Sequence, residues 1–184
     1  MKKIAQISFV LMLFSTVPLA AGGYEAAPAD KAVVYLGRLS GFVGSMRPFH
    51  LFADEHYLAR VKGKNYIRYV CDPGEHIFWV AADNRNFVQA KLQAGKSYAL
   101  FAKIQAGAWT AGAALYPITE GSKDWKEFGK MIRESKPDSI DPAYIAKWEK
   151  NHPDYIEKAL QEWRDAGELS VTLREDEYFE IPSP

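Results

Sequence analysis

The stretch YIRYVCDPGEHIFWVA, residues 66–81, carries the strongest indication of the fold. Its first six and last six residues are rich in aromatic and β-branched side chains, which favour strands. Asp72-Pro73-Gly74 lies between them and is typical of a tight turn, because proline presets φ and glycine adopts positive φ. The adjacent Phe78 and Trp79 lie on opposite faces of any regular strand. One face of this sheet is therefore expected to be exposed or covered by helices.

Strand-like runs and turn residues alternate in this way from Ala32 to Ile118. Seven or so short strands, with a turn roughly every 8–12 residues, are typical of an all-β sandwich or barrel. We therefore predict a mainly β protein with a β-sandwich domain over residues 31–121. The segment from Tyr98 to Ile118 is poor in charge and suggests a membrane span, but Lys103 and the glycines favour two strands and a tight turn.

The apolar residues after Gly121 recur at helical spacing. We predict two or three amphipathic helices in residues 122–167. Asp124 and Glu127 have the spacing of a capping box at the start of the first helix. Asp141-Pro142 predicts the start of a second helix, with aspartate as the N-cap and proline in the first turn.

The predicted helices carry aromatic residues on their apolar faces, so these faces are expected to pack against something. We expect them to pack on the β half of the chain; the alternative is a groove in a partner protein. The predicted docking face of the helices consists of Trp125, Phe128, Trp148 and Trp163.

Residues 168–184 are expected to form a short strand and a frayed acidic tail.

The charge changes sign along the chain, although the whole sequence balances 23 Lys and Arg against 23 Asp and Glu. Basic residues are in excess from Lys31 to Gly121, and acidic residues from Ser122 onward. The balance argues against nucleic acid as a partner. A candidate binding surface consists of Arg38, Arg47, Arg60, Lys62, Lys64 and Arg68. This surface suits another envelope protein, an acidic glycan, a lipid headgroup, or the acidic half of the chain itself.

The first 22 residues have the pattern of a bacterial signal peptide. Lys2 and Lys3 precede an apolar run from Ile7 to Phe14, which is about half the ~20 residues that span a bilayer. The one cysteine is Cys71, so no cysteine follows the expected cleavage site and no lipid anchor is expected. We predict a periplasmic or secreted protein without a transmembrane segment after cleavage.

No arrangement of residues predicts catalysis, a metal or a cofactor. Cys71 lacks a disulfide partner and is expected to be buried as a small hydrophobic residue. The chain has no P-loop, dinucleotide fingerprint or nucleophile elbow. The spacing of the histidines is not that of a strong metal motif. The four histidines are His50, His56, His76 and His152.

Five short features between residues 31 and 118 occur in a characteristic order. They are Val33-Val34-Tyr35, Phe42-Val43-Gly44-Ser45, Phe52-Ala53-Asp54, the segment from Tyr66 to Cys71-Asp72-Pro73-Gly74-Glu75-His76, and Leu92-Gln93-Ala94-Gly95-Lys96-Ser97-Tyr98. With these features the chain resembles a family of bacterial envelope proteins, commonly small lipoproteins, whose β-sandwich domain of unknown function is similar to PEGA-type domains. The last two segments contain its most distinctive turns, which we expect to form hairpins.

The resemblance implies a β-sandwich in the bacterial envelope and supplies no catalytic residues. The chain departs from the family in two respects, since it lacks the cysteine that carries the lipid and has a helical extension after Gly121. We predict a non-enzymatic periplasmic module that binds or scaffolds envelope components. One alternative is a small metal-dependent or hydrolytic enzyme that uses the region of His50 and His56. The other is a protein-interaction module that acts through its C-terminal helices.

Overall fold

The structure, a computed structural model, describes residues 24–39, 48–106, 111–167 and 171–180. Within these residues nine strands form two sheets and are accompanied by three helices, which confirms the predicted mainly β fold. The strands are β1 (Ala32–Arg38), β2 (Phe49–Ala53), β3 (His56–Val61), β4 (Asn65–Cys71), β5 (Gly74–Ala81), β6 (Arg85–Leu92), β7 (Ser97–Ala106), β8 (Ala111–Pro117) and β9 (Thr172–Leu173). The helices are α1 (Trp125–Glu134), α2 (Pro142–Asn151) and α3 (Tyr155–Ala166). The predicted signal peptide, Arg47 and the loop at 42–45 lie outside the described residues.

The two sheets contain four and five strands. The four-stranded sheet has the order β4-β1-β7-β8, and the five-stranded sheet has the order β3-β2-β5-β6-β9. Most neighbouring strands are antiparallel, but β1 pairs with β7 in parallel, and β6 pairs with β9 in parallel. The short β9 belongs to the five-stranded sheet although it follows all three helices in the chain. The C-terminal segment is therefore part of the sandwich.

The two turns that we expected to form hairpins instead carry the chain from one sheet to the other. The Asp72-Pro73 turn joins β4 to β5, and the turn around Gly95 joins β6 to β7. In each case the joined strands pair with other strands, so the hairpin prediction is wrong for both turns. Turn residues determine where the chain reverses, whereas the burial of the facing apolar surfaces determines which strands pair. A hairpin does form between β2 and β3, with its turn at Asp54-Glu55.

The main core lies between the two sheets. Alternate residues of each strand face it, as shown by Val34 and Leu36 in β1 and by Phe78 and Val80 in β5. Cys71 is buried in the same core, which confirms the prediction that it is a buried hydrophobic residue. Burial raises the pKa of its thiol to about 12, with further contributions from the nearby Asp54 and Asp72 carboxylates.

Helix α1 covers the outer face of the four-stranded sheet. Phe128, Met131 and Ile132 of the helix pack against Tyr35 and Phe101 of the sheet. Two segments from the ends of the described chain join this cluster through their aromatic residues, Tyr24 and Phe179.

The acidic tail is held in place over residues 174–180. Phe179 is only 4% exposed, its amide donates a hydrogen bond to the Ser97 carbonyl at 2.9 Å, and its ring lies 5.2 Å from that of Phe128. The expectation of a frayed tail is therefore wrong for these residues, because the buried Phe179 side chain and its backbone hydrogen bond hold the segment against a core that includes α1.

Helices α2 and α3 cover the outer face of the five-stranded sheet. Trp79 points to this face, while its neighbour Phe78 points to the central core. Ala159 is fully buried against the sheet, and Trp148 and Tyr155 pack on the same cluster. The sandwich thus has a helical layer on each side, which explains how both members of the Phe78-Trp79 pair are buried.

The helices begin in two different ways. Asp141 caps α2, because its carboxylate accepts a hydrogen bond from the Ala143 amide at 2.9 Å. Asp124 precedes α1 but makes no capping hydrogen bond; its carboxylate pairs with Lys103 of β7. The capping-box prediction at Asp124 is therefore wrong, since an ion pair to the sheet takes the carboxylate away from the helix end.

No helix in the described part of the chain is long and apolar enough to cross a membrane.

Candidate functional site

The predicted basic surface is divided by the fold. Arg38 is fully buried, with its guanidinium carbon 4.4 Å from the centre of the Phe49 ring, so it is not part of any surface. Arg68 lies 3.3 Å from the Glu25 carboxylate, and Lys64 contacts an acidic residue of α1. Arg60 and Lys62 are exposed, and Arg47 lies outside the described residues. Among the described residues, Arg38 is therefore separated from the exposed Arg60 and Lys62, and Lys64 and Arg68 are paired with carboxylates.

Ion pairs between the two oppositely charged halves account for much of the basic character of the sandwich. They link each helical layer and the C-terminal segment to strands and turns of the sandwich. Because these charges pair within the chain, the excess of basic residues does not by itself define a site for an anionic ligand. The pairs are Lys64–Glu127, Arg85–Glu162, Lys91–Glu175, Lys96–Glu180 and Lys103–Asp124.

All four aromatic residues of the predicted docking face contact the sandwich or its terminal segments. Phe128 is fully buried beneath α1, and the half-buried Trp125 lies with its ring 5.7 Å from Phe179. Trp148 and Trp163 pack on the outer face of the five-stranded sheet. The apolar faces of the helices are thus occupied within the chain.

Stacked rings connect the five-stranded sheet to the surface. The Tyr57 ring lies 4.4 Å from Trp148 at an angle of 18°, and Trp148 lies 4.4 Å from His152 at 16°. Tyr57 is buried, Trp148 is half-buried and His152 is exposed. This column leads from the aromatic cluster to the break between α2 and α3, where Pro153 prevents the helix from continuing.

A groove of about 510 Å³ lies at the seam between the β2–β3 turn and the break between α2 and α3. We call it the seam groove. The turn contributes two of its lining residues, and the end of α2, the break and α3 contribute the others. Its lining residues are Glu55, His56, Glu149, His152, Pro153, Ile156, Glu157, Leu160 and Arg164.

His56 and His152 of the seam groove were candidates from the sequence, but the groove itself was not predicted. Ile156, Leu160 and Arg164 recur at every fourth position of α3, which places them along one side of the helix. That spacing, together with the break at His152-Pro153, was the available signal in the sequence. The contribution of the β2–β3 turn depends on tertiary packing, because Glu55 and Glu149 lie far apart in the chain.

The two histidines of the enzyme alternative lie in different surroundings. His50 Nδ1 lies 3.1 Å from the Tyr57 hydroxyl oxygen, and its ring is close to Trp148. Burial, with the nearby Arg60 and His152, lowers the pKa of His50, which favours the neutral imidazole. His56 is exposed in the seam groove. Among the described residues, no group of three or more His, Cys, Asp or Glu side chains is placed to hold a metal ion.

His76 joins two turns near the seam groove. Its Nδ1 lies 2.7 Å from Asp54 Oδ2, and its Nε2 lies 2.9 Å from the carbonyl oxygen of Asp72. Both partners are hydrogen-bond acceptors, so both contacts are satisfied only when the two ring nitrogens carry protons. The other carboxylate oxygen of Asp54 accepts from the Ile77 amide, and the Asp54 carbonyl accepts from the Trp79 indole. The imidazolium therefore stabilises the β2–β3 turn.

The ionisation of His76 and Asp54 follows from this geometry. The hydrogen bond to Asp54 raises the pKa of His76 above its ordinary value of 6.5, although burial opposes the shift. Burial alone would raise the pKa of Asp54, but the hydrogen bonds from His76 and Ile77 outweigh it and lower the pKa below 3.8. The stabilisation by His76 is complete below pH 6.5 and is lost as the pH rises through the raised value. The stabilisation by Asp54 is complete above pH 3.8 and is lost as the pH falls through the lowered value.

We predict that the ion pair between His76 and Asp54 stabilises the protein most between the ordinary pKa values of the two groups, 3.8 for Asp54 and 6.5 for His76. The free energy of unfolding of the natural protein should decrease from pH 5.5 to pH 8.5 by about 1 kcal/mol more than that of His76→Gln, because the pair is partly exposed. Urea unfolding at both pH values measures the difference. Lys62→Gln, an exposed residue that follows β3, is the control and should keep the natural pH dependence. An equal pH dependence in the natural protein and His76→Gln would contradict the role of the ion pair.

The chain matches no family model and no curated protein. The described fold is a two-sheet β-sandwich with helices over both outer faces.

Proposed function

We propose that the protein is a non-enzymatic binding or scaffolding module of the bacterial envelope and that the seam groove is its ligand site. The observation that carries this proposal is the groove itself, a concave surface of about 510 Å³ between a sheet turn and a helix break. Its volume lies within the range of about 300–1,000 Å³ that is common for ligand sites.

The composition of the seam groove suits a ligand that carries both charge and apolar surface. Its lining residues are carboxylates, imidazoles, one guanidinium and three apolar side chains. Such a surface recognises a ligand through charge, hydrogen bonds and apolar contact. The enzyme alternative gains no support from His50, whose Nδ1 faces Tyr57.

The envelope location is supported by the sequence. Lys2, Lys3 and the apolar run that follows have the order of a secretory signal, and the resemblance to envelope proteins agrees with it. Because Cys71 is buried in the core, it is not available as an attachment point for a lipid. Retention in the envelope would therefore depend on the protein's own surfaces.

The protein-interaction alternative is compatible with this proposal in a modified form. The tryptophan-bearing faces of the helices already contact the sandwich, so a partner would meet the helices at their border with the β2–β3 turn, where the seam groove lies. Interaction through released helices would require exposure of the aromatic cluster around Trp79 and Phe52.

Site-specific photocrosslinking tests the proposal. A photoreactive residue in place of Glu157, in the seam groove, should give a discrete adduct in the periplasmic fraction of a bacterial host that makes the full-length chain. The matched control places the same residue at Lys126, which is exposed on α1 across the sandwich. An equal adduct from both positions, no adduct from Glu157, or retention of the protein in the cytoplasm would overturn the proposal.

A further inference from the structure

We infer that the ligand of the seam groove is a cationic polypeptide segment with apolar side chains. This inference rests on the proposed function, because it names the chemical class of ligand for the same site. It is carried by the apolar floor of the groove and by the carboxylates of its rim. Among the residues that the structure describes, none of these carboxylates forms an ion pair.

The floor of the seam groove is apolar. Pro153, Ile156 and Leu160 lie along its helical side, and Leu160 is only 9% exposed. Ile156 also packs on the aromatic cluster beneath α3, so the floor is held by the fold. A ligand that buries apolar side chains here gains about 25 cal/mol for each Å² removed from water.

The rim of the seam groove carries three carboxylates from three separate elements. Glu55 lies in the β2–β3 turn, Glu149 in α2 and Glu157 in α3. Among the described residues none of the three forms an ion pair, in contrast to Glu127 and Glu162, which pair with basic residues of the sheets. A positive ligand is therefore complementary to this rim.

Arg164 offsets one of the three rim charges, so the lining keeps a net negative charge, and the described residues show no ion pair between Arg164 and a rim carboxylate. The guanidinium of Arg164 donates to Gln161 Oε1 at 2.9 and 3.2 Å. His152 Nδ1 lies 2.8 Å from the Trp148 carbonyl oxygen, so this nitrogen carries the proton. In the neutral imidazole Nε2 is then an acceptor, and it has no hydrogen-bond partner among the described residues. The groove therefore presents mainly acceptors, which suit the donors of lysine and arginine side chains.

A polypeptide fits this surface better than a glycan does. Sugar rings commonly pack against exposed aromatic faces, but the large rings of the cluster, Trp148 and Tyr155, do not line the seam groove. An extended peptide presents alternate side chains to opposite sides, so its apolar residues can face Ile156 and Leu160 while its cations meet the rim. The volume of about 510 Å³ accommodates a few side chains and not a folded domain.

Titration of the folded, isotope-labelled protein with two synthetic peptides tests the inference. One is a hexapeptide of alternating lysine and leucine, and the other has glutamate in place of lysine. We expect the lysine peptide alone to shift the amide resonances of the seam groove, with an affinity that falls as salt is raised. Glu149→Gln combined with Glu157→Gln should weaken binding about five- to tenfold, because two rim charges are lost.

The control variant combines Glu120→Gln with Glu134→Gln. These residues are exposed, lie outside the seam groove, and change the net charge by the same amount. Binding by the control should equal that of the natural protein. Equal weakening in both double variants would show a general charge effect and overturn the inference, as would resonance shifts outside the groove.

Two further outcomes separate this inference from the proposed function. If a neutral peptidoglycan fragment shifts the groove resonances and the lysine peptide does not, the peptide class is overturned and the groove remains a binding site. If Glu157 gives a specific crosslink in cells but the lysine peptide does not bind, the peptide class is likewise overturned and the groove remains a binding site. Failure of the crosslinking experiment overturns the proposed function itself.

Discussion

A chain that ends at Gly121 is expected not to fold. Such a chain, residues 24–121, retains strands β1 to β8 but loses all three helices and β9. Both outer faces of the sandwich then expose large apolar groups, including Tyr35 and Phe101 on one side and Phe52 and Trp79 on the other. Burial of such side chains stabilises a protein by about 1.5–3 kcal/mol each, and a typical domain has only about 5–15 kcal/mol of net stability.

Circular dichroism during heating measures this outcome. The chain of residues 24–184 should show a cooperative thermal transition, and the truncated chain should show none and should bind a hydrophobic dye. A cooperative transition of the truncated chain at the temperature of the full chain would contradict the prediction. It would mean that the helices are a dispensable appendage and that the exposed faces are tolerated.

Replacement of Trp79 by alanine is expected to reduce the free energy of unfolding by about 3–5 kcal/mol. Trp79 is fully buried between the five-stranded sheet and the α2–α3 layer. Its ring is stacked on that of Phe52, with centroids 3.6 Å apart and an interplanar angle of 5°. Its indole nitrogen also donates to the Asp54 carbonyl at 3.2 Å, so the substitution removes packing and a hydrogen bond together.

Urea unfolding followed by far-ultraviolet circular dichroism gives the measurement, because it does not depend on tryptophan fluorescence. Trp148→Ala is the matched control, since Trp148 belongs to the same cluster but is only half-buried. It should reduce the free energy of unfolding by less than half as much. Equal losses in the two variants would show that burial against the sheet does not distinguish the two side chains.

Local sequence patterns predicted the elements of the fold well. The strand at His76–Ala81 and the N-cap at Asp141 both follow from residue type and spacing within a few positions. The burial of Cys71 also followed from its place in an apolar strand. These properties depend on neighbouring residues, so the sequence is sufficient to predict them.

The seam groove could not be predicted in this way. It forms only because α2 and α3 pack on the outer face of the five-stranded sheet, which brings Glu149 and Glu157 to Glu55 of the β2–β3 turn. Tertiary packing also decided the positions of two residues of the predicted basic surface. Arg38 is buried in the interior, and Lys64 forms an ion pair with Glu127 of α1. Contacts between distant parts of a chain are not encoded in local periodicity.

The sequence by itself determined where strands and helices begin, which faces are apolar, and that Phe78 and Trp79 point in opposite directions. Only the tertiary structure decided that the Asp72-Pro73 turn joins two sheets, that β9 completes the five-stranded sheet, and that helices cover both outer faces. The physical reason is the range of the forces involved. Backbone preferences act over a few residues, whereas the burial of apolar faces selects among all surfaces that the folded chain brings together.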